Sequence, residues 1–259
     1  MECRQADKLF FMPLAESEAI ILRARPVGEA DKVVSVFTRA AGRLRGLAPA
    51  ARRSRQRFGA ALEPLSYVRL WFYERAERDQ VRLAQCELIE SFWDLGGDYG
   101  RTLAAGHVTE LLELLLPERE VNERAFRLAL MTLRGVKEGK PVWLALTYFQ
   151  LWMAQLSGWL PALDRCQRCQ RALENAPAYA SPSRGEWLCG RCRKGGLRVL
   201  KSESLADAAA LLTHPLDRLP ADGWTAKRCA DLRQYLLDVI EHHGGQKLAT
   251  RESLNEIRS

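Results

Sequence analysis

Residues 32–48 read KVVSVFTRAAGRLRGLA, and this stretch decides how the first third of the chain can fold. The turn sequence Ala41-Gly42 lies between two short runs, 32–38, which has four β-branched residues, and 43–48, in which Leu44, Leu47 and Ala48 are apolar. Runs of this kind, joined by a short turn, pair as neighbouring antiparallel strands. The stretch therefore predicts a hairpin within one small sheet.

Three further runs of the same kind lie on either side of the hairpin: Ala19–Arg25, Leu65–Tyr73 and Val81–Cys86. A sheet of five short strands must close to bury its core and remove its exposed edges. We therefore expect a five-stranded OB-type β-barrel over residues 18–88, preceded by a disordered leader at 1–17.

Alternation along the fourth run predicts the two faces of that strand. Val68, Leu70 and Phe72 are expected to face the core, and Tyr67, Arg69, Trp71 and Tyr73 to face outward. Outward aromatic rings could stack on nucleic-acid bases, and core packing is the alternative for each of them.

From residue 89 onward the apolar residues recur at intervals of three and four, which indicates helices. The predicted helices cover 103–115, 121–135, 142–157, 203–212 and 224–242. Val142–Leu163 is uncharged, but Gln150, Gln155 and Pro161 interrupt it and no basic flank favours membrane insertion. The fold class is therefore α+β, with an α-helical domain over 89–259.

Four cysteines interrupt the helical pattern, first in Cys166-Gln167-Arg168-Cys169 and then, after nineteen intervening residues, in Cys189-Gly190-Arg191-Cys192. Two Cys-x-x-Cys turns facing each other can complete a tetrahedron of thiolates around Zn²⁺. Neighbouring arginines and lysines are expected to favour the thiolate form. We predict a structural zinc module at 164–195, inserted into the helical domain. Two disulfides or a redox-active pair are the alternatives.

The remaining cysteines, Cys3, Cys86 and Cys229, have no partner at metal-ligand spacing and are expected to be inert. The odd number of cysteines and the lack of a secretory leader favour a reducing, cytosolic compartment.

Arginines are concentrated between residues 39 and 57, with no acidic residue between Asp31 and Glu63. We predict that this cluster binds DNA phosphates, because each guanidinium offers a planar fork of donors to phosphate oxygens. Its members are Arg39, Arg43, Arg45, Arg52, Arg53, Arg55 and Arg57. Residues 46–57 are expected to form a flexible loop between the third and fourth strands. Surface charge that only maintains solubility is the alternative.

The sequence contains no P-loop, no Gly-x-Ser-x-Gly, no His-Glu-x-x-His and no zinc-deaminase pattern. We therefore predict a binding protein without catalytic residues. A nucleic-acid-modifying enzyme, and a zinc-stapled protein-interaction scaffold whose basic loop is incidental, are the alternatives.

Several segments together resemble a known family. They are Glu18–Arg23, Gly28–Lys32, Ala51–Gly59 with Leu62-Glu63-Pro64, and Gly158–Pro161 leading into Leu163–Cys166. In these segments the chain resembles the RecO family of bacterial DNA repair and recombination mediators, over residues 18–259. The resemblance implies an OB barrel and a helical domain containing a zinc module.

The resemblance also implies a function. Members of the family bind single- and double-stranded DNA and anneal complementary strands. Together with RecR they act on strands covered by single-strand-binding protein, whose C-terminal tail they contact, to help load RecA. A cytoplasmic, nucleoid-associated location in bacteria follows from the same resemblance. The zinc module would hold the helical domain and add Arg168, Arg191 and Lys194 to a basic path.

Overall fold

A computed structural model describes residues 13–54, 56–74, 80–93, 95, 97–173 and 175–257. Its contacts divide the chain into two compact units. The first unit contains the residues up to Glu90 together with the short segment Glu118–Val121. The second contains Ser91–Pro117 and the residues from Asn122 onward.

The first unit is a closed five-stranded barrel with the strand order β1-β2-β3-β5-β4. Its strands are β1 (Leu14–Val27), β2 (Asp31–Thr38), β3 (Gly42–Ala48), β4 (Ser66–Tyr73) and β5 (Gln80–Ser91). β1 pairs antiparallel with β2 and β4, β2 pairs antiparallel with β3, and β3 pairs with β5 in parallel. This is an OB-type arrangement, and the predicted barrel is confirmed.

Alternating residues of the strands fill the barrel. The core includes Val34, Val36, Leu44, Val68, Leu70, Phe72, Val81 and Leu83, which confirms the predicted inward face of β4. On the other face Arg69 is exposed, and the Trp71 indole donates a 3.0 Å hydrogen bond to Glu16. Tyr67 was expected to face outward but is buried, as are Ser66 and Val68 beside it. Both faces of this end of β4 are therefore covered, which alternation along one strand cannot reveal.

The predicted leader at 1–17 was partly wrong, because β1 begins at Leu14 and pairs with β4 from that residue onward. The Cα register pairs Leu14 with Tyr73 and Glu16 with Trp71. Pairing with β4 recruits these residues into the barrel, although their sequence lacks the β-branched character of residues 19–25. Residues 1–12 lie outside the described part of the chain.

The segment Glu118–Val121 joins the barrel beside the start of β3. Arg43 and Glu118 form an isolated parallel bridge, and the Arg119 N–H donates a 2.9 Å hydrogen bond to the Arg43 carbonyl. Gly42 has φ +70°, and a Cβ built there would lie 2.2 Å from the Glu120 carbonyl oxygen. Only glycine fits this position, so the turn glycine that ends the β2–β3 connection also admits a distant segment.

The second unit is mainly helical. Its helices are α1 (Tyr99–Leu115), α2 (Glu123–Lys137), α3 (Val142–Leu156), α4 (Ser202–Thr213), α5 (Ala230–Gly244) and α6 (Thr250–Leu254), with a 3-10 helix at Leu216–Arg218. Asp98 and Asn122 cap α1 and α2 by accepting from backbone N–H groups of the first turn. The helix predicted from Trp224 begins only at Ala230, because Cys229 has a left-handed φ of 57° and separates it from the preceding turns.

Helix α3 is the buried centre of this unit, as its composition predicts. Ten of its fifteen residues are buried, and it contacts α1, α2, α4 and α5. Among the described residues no helix combines the length and apolar character needed to cross a membrane.

Between α3 and α4 the chain forms a small antiparallel sheet that the sequence did not predict. Its strands are β6 (Ala178–Ser181), β7 (Glu186–Leu188) and β8 (Arg198–Leu200), in the order β7-β6-β8. The strands have three or four residues each, too few for alternation to be recognised. The sheet lies in and beside the predicted zinc module, with β7 leading directly into Cys189.

Candidate metal centre and nucleic-acid interface

The first cysteine turn, residues 166–169, is held by its own backbone. The Cys166 N–H donates to the Arg171 carbonyl at 2.8 Å, and the Gln170 N–H donates to the Cys166 carbonyl at 2.9 Å. Gln170 adopts a positive φ of 60°, which turns the chain back on itself. This conformation brings both sulfurs to one side of the turn.

The second turn faces the first and completes a cluster of four sulfurs. The N–H groups of Cys192 and Arg193 both donate to the Cys189 carbonyl at 3.0 Å. All four Sγ atoms lie within 4.8 Å of one another, and those of Cys169 and Cys189 are 3.7 Å apart. A tetrahedron with metal–sulfur bonds of about 2.3 Å requires sulfurs about 3.8 Å apart. The cluster could therefore hold a metal ion, and none of the six described cysteines forms a disulfide.

Backbone N–H groups tune the thiols of this cluster. Burial raises the pKa of Cys166, but the N–H groups of Cys189, Cys169 and Arg168 outweigh it and lower the pKa to about 6. The N–H of Cys192, followed by that of Arg191, lowers the pKa of Cys189. Hydrogen bonds with Cys169 and the other thiols raise the pKa of Cys192 to about 12. The thiolates of Cys166 and Cys189 are thus stabilised by backbone N–H donors, and not by the arginine side chains expected from the sequence.

Gln167 connects the two turns. Its N–H donates to the Trp187 carbonyl at 3.1 Å, and its side-chain oxygen accepts from the Trp187 N–H at 2.6 Å. Its amide nitrogen donates to the carbonyls of Ala162 and Arg165 at 2.9 and 3.1 Å. One side chain therefore holds the start of the module against β7, two residues before Cys189.

The two described cysteines outside the cluster, Cys86 and Cys229, are not reactive groups. Burial raises the pKa of Cys86 to about 12. Burial, followed by hydrogen bonding to Asp207, does the same for Cys229. Both remain protonated thiols at neutral pH, and Cys3 lies outside the described residues.

The predicted DNA-binding arginines occupy two separate places on the barrel. Arg39, Arg43 and Arg45 lie on or next to the β2–β3 hairpin, and each pairs with a carboxylate. Arg39 contacts Glu18 at 2.7 Å, while Arg43 and Arg45 contact the same oxygen of Glu118 at 3.3 and 2.7 Å. Arg43 is largely buried in this contact and Arg45 remains exposed.

The other predicted arginines belong to the connection between β3 and β4. Arg52 donates to the carbonyls of Gly28 and Glu29 in the β1–β2 turn, and Arg53 pairs with the Glu29 carboxylate at 3.3 Å. Arg57 donates to the Pro49 carbonyl at 2.9 Å and lies over the Phe58 ring. Arg57 therefore braces its own loop, whereas Arg52 and Arg53 are exposed beside the β1–β2 turn. Arg55 lies outside the described residues.

The barrel also carries an arginine surface that the sequence did not indicate. The register pairs Arg23 with Ser35 and Ser35 with Arg45, and it pairs Arg25 with Val33, Val33 with Leu47 and Leu47 with Arg82. Directly paired residues share a face of a sheet. Arg23, Arg25, Arg45 and Arg82 are all exposed and so form one outer arginine face across β1, β2, β3 and β5. The sequence analysis did not include Arg23, Arg25 and Arg82, because they are distant from the arginine cluster at 39–57. Strand register places them on the same face as Arg45.

Comparisons with known proteins match each of the two units to a family model. A family model described as "Recombination protein O N terminal" matches residues 12–92, and one described as "Recombination protein O C terminal" matches residues 96–252. The chain belongs to the RecO family. A DNA repair protein RecO from Koribacter versatilis is 41% identical over 94% of this chain and 99% of its own. One from Anaeromyxobacter dehalogenans is 32% identical, covering 95% and 98%, and one from Pelotomaculum thermopropionicum is 37% identical, covering 80% of each chain.

The RecO assignment confirms the resemblance drawn from the sequence motifs. The N-terminal RecO match covers the barrel strands, and the C-terminal match covers helices α1–α5, the start of α6, the four cysteines and β6–β8. Both candidate sites, the sulfur cluster and the outer arginine face, therefore lie within the RecO-matched parts of the chain.

Proposed function

We propose that this RecO-family chain is a recombination mediator that binds single- and double-stranded DNA and anneals complementary strands. The observation that carries the proposal is the outer arginine face on an OB-type barrel, beside exposed Arg52 and Arg53 at the β1–β2 turn. In OB folds the face of strands 2 and 3 and the adjoining loops bind oligonucleotides. Guanidinium groups on this face would bind the phosphates of either strand without reading sequence.

The annealing mechanism follows from charge. Complementary strands repel each other through their phosphates, and a cationic surface that neutralises both lowers this repulsion and lets bases pair. The chain carries a net charge of +7, with 15 basic and 10 acidic residues in 1–80 and 8 and 3 in 161–200. The excess of positive charge thus coincides with the barrel and the cysteine module, which supports a polyanionic ligand.

The partners proposed for this chain are those of the RecO family. With RecR it would help to load RecA onto strands covered by single-strand-binding protein, and it would contact the C-terminal tail of that protein. The location proposed is the bacterial cytoplasm, at the nucleoid. We propose no catalytic step for the chain. The activities to be measured are DNA binding and the annealing of complementary strands.

For the sulfur cluster we propose one structural Zn²⁺ held by Cys166, Cys169, Cys189 and Cys192. Four thiolates at tetrahedral spacing are a donor set that selects zinc over harder ions. With four protein ligands the ion would contribute free energy of folding rather than chemistry. The chain's own residues shape the site, through the backbone donors to Cys166 and Cys189 and through Gln167.

The proposal is tested by the salt dependence of binding to oligo-dT, measured by fluorescence anisotropy between 50 and 200 mM salt. Replacing Arg23, Arg25 and Arg82 with Ala removes three phosphate contacts. The logarithmic salt slope should therefore become less steep by about 2. The control variant R124A/R127A/K247A loses the same charge from exposed positions of the second unit and should keep the wild-type slope.

A strand-annealing assay, with and without RecR and single-strand-binding protein, then tests the mediator role. The barrel variant should anneal more slowly than the control variant. Equal DNA affinity of both variants and wild type would favour the protein-interaction scaffold instead. Cleavage or modification of the oligonucleotide on addition of Mg²⁺ would favour an enzyme.

A further inference from the structure

The cysteine module contains a basic cleft of about 460 Å³ that the metal site does not use. It is lined by Gln167, Arg168, Arg184, Glu186, Leu188 and Lys194. Arg168 comes from the first cysteine turn, Lys194 follows the second, and Arg184 lies in the turn between β6 and β7. Three cations from separate segments of the sequence therefore converge on one cavity.

These three cations are exposed and are not engaged elsewhere. Within the described ranges, Arg168, Arg184 and Lys194 make no ion pair or side-chain hydrogen bond. Their neighbour Arg193 differs, because it donates to the Tyr179 hydroxyl at 3.1 Å and lies over that ring. The cleft cations thus keep their donors available for a ligand, opposed by the single carboxylate of Glu186.

We propose that this cleft binds the backbone phosphates of a single nucleic-acid strand, as a second site in addition to the outer arginine face of the barrel. The inference rests on the proposed function and deepens it, because it gives one chain two phosphate-binding sites in two different units. Annealing needs two strands on one protein, and two sites satisfy that need within a single chain.

The chemistry of the lining favours phosphodiester over an acidic protein segment. Arginine forks match phosphate oxygens in a bidentate manner, and two of the three cations are arginines. A peptide bound in a cleft draws much of its affinity from apolar anchors. Leu188 is the one apolar residue in the lining, and only 5% of it is exposed. A phosphate chain needs no apolar surface.

The sequence had singled out Arg168, Arg191 and Lys194 for a basic path. The cleft lining retains Arg168 and Lys194, replaces Arg191 with Arg184, and adds Glu186 as an opposing charge. Replacing the Glu186 carboxylate can therefore strengthen DNA binding. A substitution that only damaged the module would not strengthen it, so the two effects can be told apart.

The test compares wild-type protein with R168A/R184A/K194A and E186Q for binding of oligo-dT. Three lost phosphate contacts should make the logarithmic salt slope less steep by about 2. E186Q should raise the affinity several-fold at low salt, since it removes the one carboxylate among the described residues that line the cleft. The control variant R124A/R127A/K247A, with the same loss of charge, should match wild type. Native mass spectrometry compares the zinc content of each variant with that of the wild-type protein.

Each remaining outcome decides against the inference. A slope of the triple variant equal to that of the control, with E186Q unchanged, would overturn it and leave the barrel proposal standing. Loss of binding to a poly-glutamate peptide without a change in the oligo-dT slope would assign the cleft to an acidic protein. Absence of salt-dependent DNA binding by the wild-type chain would overturn both proposals.

Discussion

Glu118 is the residue on which two of the predicted DNA-binding arginines converge. Its Oε1 lies 2.7 Å from Arg45 Nε and 3.3 Å from Arg43 Nη1, in a segment that belongs to the barrel unit although it follows α1 in sequence. A carboxylate in this position competes with phosphate for the same donors. Because Glu118 already pairs with them, Arg43 and Arg45 are less available to a phosphate than Arg25 and Arg82.

Replacing Glu118 with Gln should strengthen DNA binding. The amide oxygen can still accept from Arg45, so the barrel contact survives, but both guanidinium groups lose a competing charge. We expect affinity for oligo-dT to rise roughly threefold to tenfold and the logarithmic salt slope to steepen by about 1. Anisotropy titrations measure both. E87Q, which removes a charge from an exposed position of β5, is the control, and an equal gain in that variant would contradict the assignment to Glu118.

Gln167 is the second residue whose role depends on its contacts. Replacing it with Ala leaves the N–H of buried Trp187 without its acceptor, and an unsatisfied buried donor costs about 1–3 kcal/mol. Zinc affinity, measured by competition with a chromophoric chelator, should fall about tenfold to a hundredfold, as for other residues that orient metal ligands. S183A in the exposed β6–β7 turn should leave zinc affinity unchanged, and a similar loss in that variant would count against the role of Gln167.

Among the elements, α6 is held to α1 and α3 by a buried polar relay. The Gln150 amide lies 2.9 Å from His107 Nε2, and His107 Nδ1 lies 2.6 Å from the Thr250 hydroxyl. Thr250 donates in turn to the Glu110 carboxylate, which also accepts from the Ala249 N–H. Since Thr250 donates to Glu110, His107 Nδ1–H donates to Thr250. With the Gln150 amide nitrogen facing Nε2, that ring nitrogen accepts, and this arrangement fits neutral His107.

This relay makes the stability of the second unit depend on pH. Burial lowers the pKa of His107 from 6.5 to about 4, with a smaller opposing effect of Glu110. Between these values the unfolded chain binds a proton that the folded chain does not, so the free energy of unfolding should fall as pH drops from 6.5 to 4. The loss is on the order of 3 kcal/mol. Urea unfolding at several pH values measures it.

The matched variants for this measurement are H107N and H214N. Asn at position 107 can still donate toward Thr250 but does not titrate, so its unfolding free energy should be less dependent on pH in this window. His214 is exposed, and its replacement should preserve the wild-type dependence. Identical pH profiles for wild type and H107N would rule out the relay as the source.

At the scale of the whole molecule, the barrel and the cysteine module are stabilised in different ways. The barrel is closed by strand pairing and a continuous apolar core. The cysteine module has strands of only three or four residues, a size at which small folds usually depend on a metal. The positive surfaces are distributed in the same way, one on the barrel and one at the module.

Removal of the proposed Zn²⁺ should therefore affect the two units differently. Metal binding contributes to the folding free energy of the residues it joins, so a strong chelator should abolish hydrogen-exchange protection of β6, β7 and β8. Protection of β1–β5 should remain, because the four cysteines of the sulfur cluster all belong to the second unit. Hydrogen–deuterium exchange with mass spectrometry, with Zn²⁺ added back as control, reports on both. Equal loss of protection in the barrel would contradict this division.

Local patterns determined much of the fold before any tertiary information. The short apolar runs and turns around residues 32–48 predicted the barrel, and the apolar spacing of three and four predicted the helices. The Cys-x-x-Cys spacing predicted which sulfurs meet. Each of these signals is short-ranged, because strand alternation, helical periodicity and metal-ligand turns act over a few residues. The start of β1 and the start of α5 were misjudged where pairing and a left-handed Cys229 override local preference.

Only the tertiary structure decided which charges share a surface. Arg23, Arg25, Arg45 and Arg82 meet through strand register, and Arg168, Arg184 and Lys194 meet through the facing turns of the module. Contacts between residues distant in sequence leave no periodic trace, and a cluster of adjacent arginines can be dispersed by folding. Arg43 and Arg57 illustrate this, since Glu118 and the Pro49 carbonyl engage them within the barrel unit. The sequence by itself therefore determined the family, the barrel and the four cysteines, and the fold determined which arginines share an exposed surface.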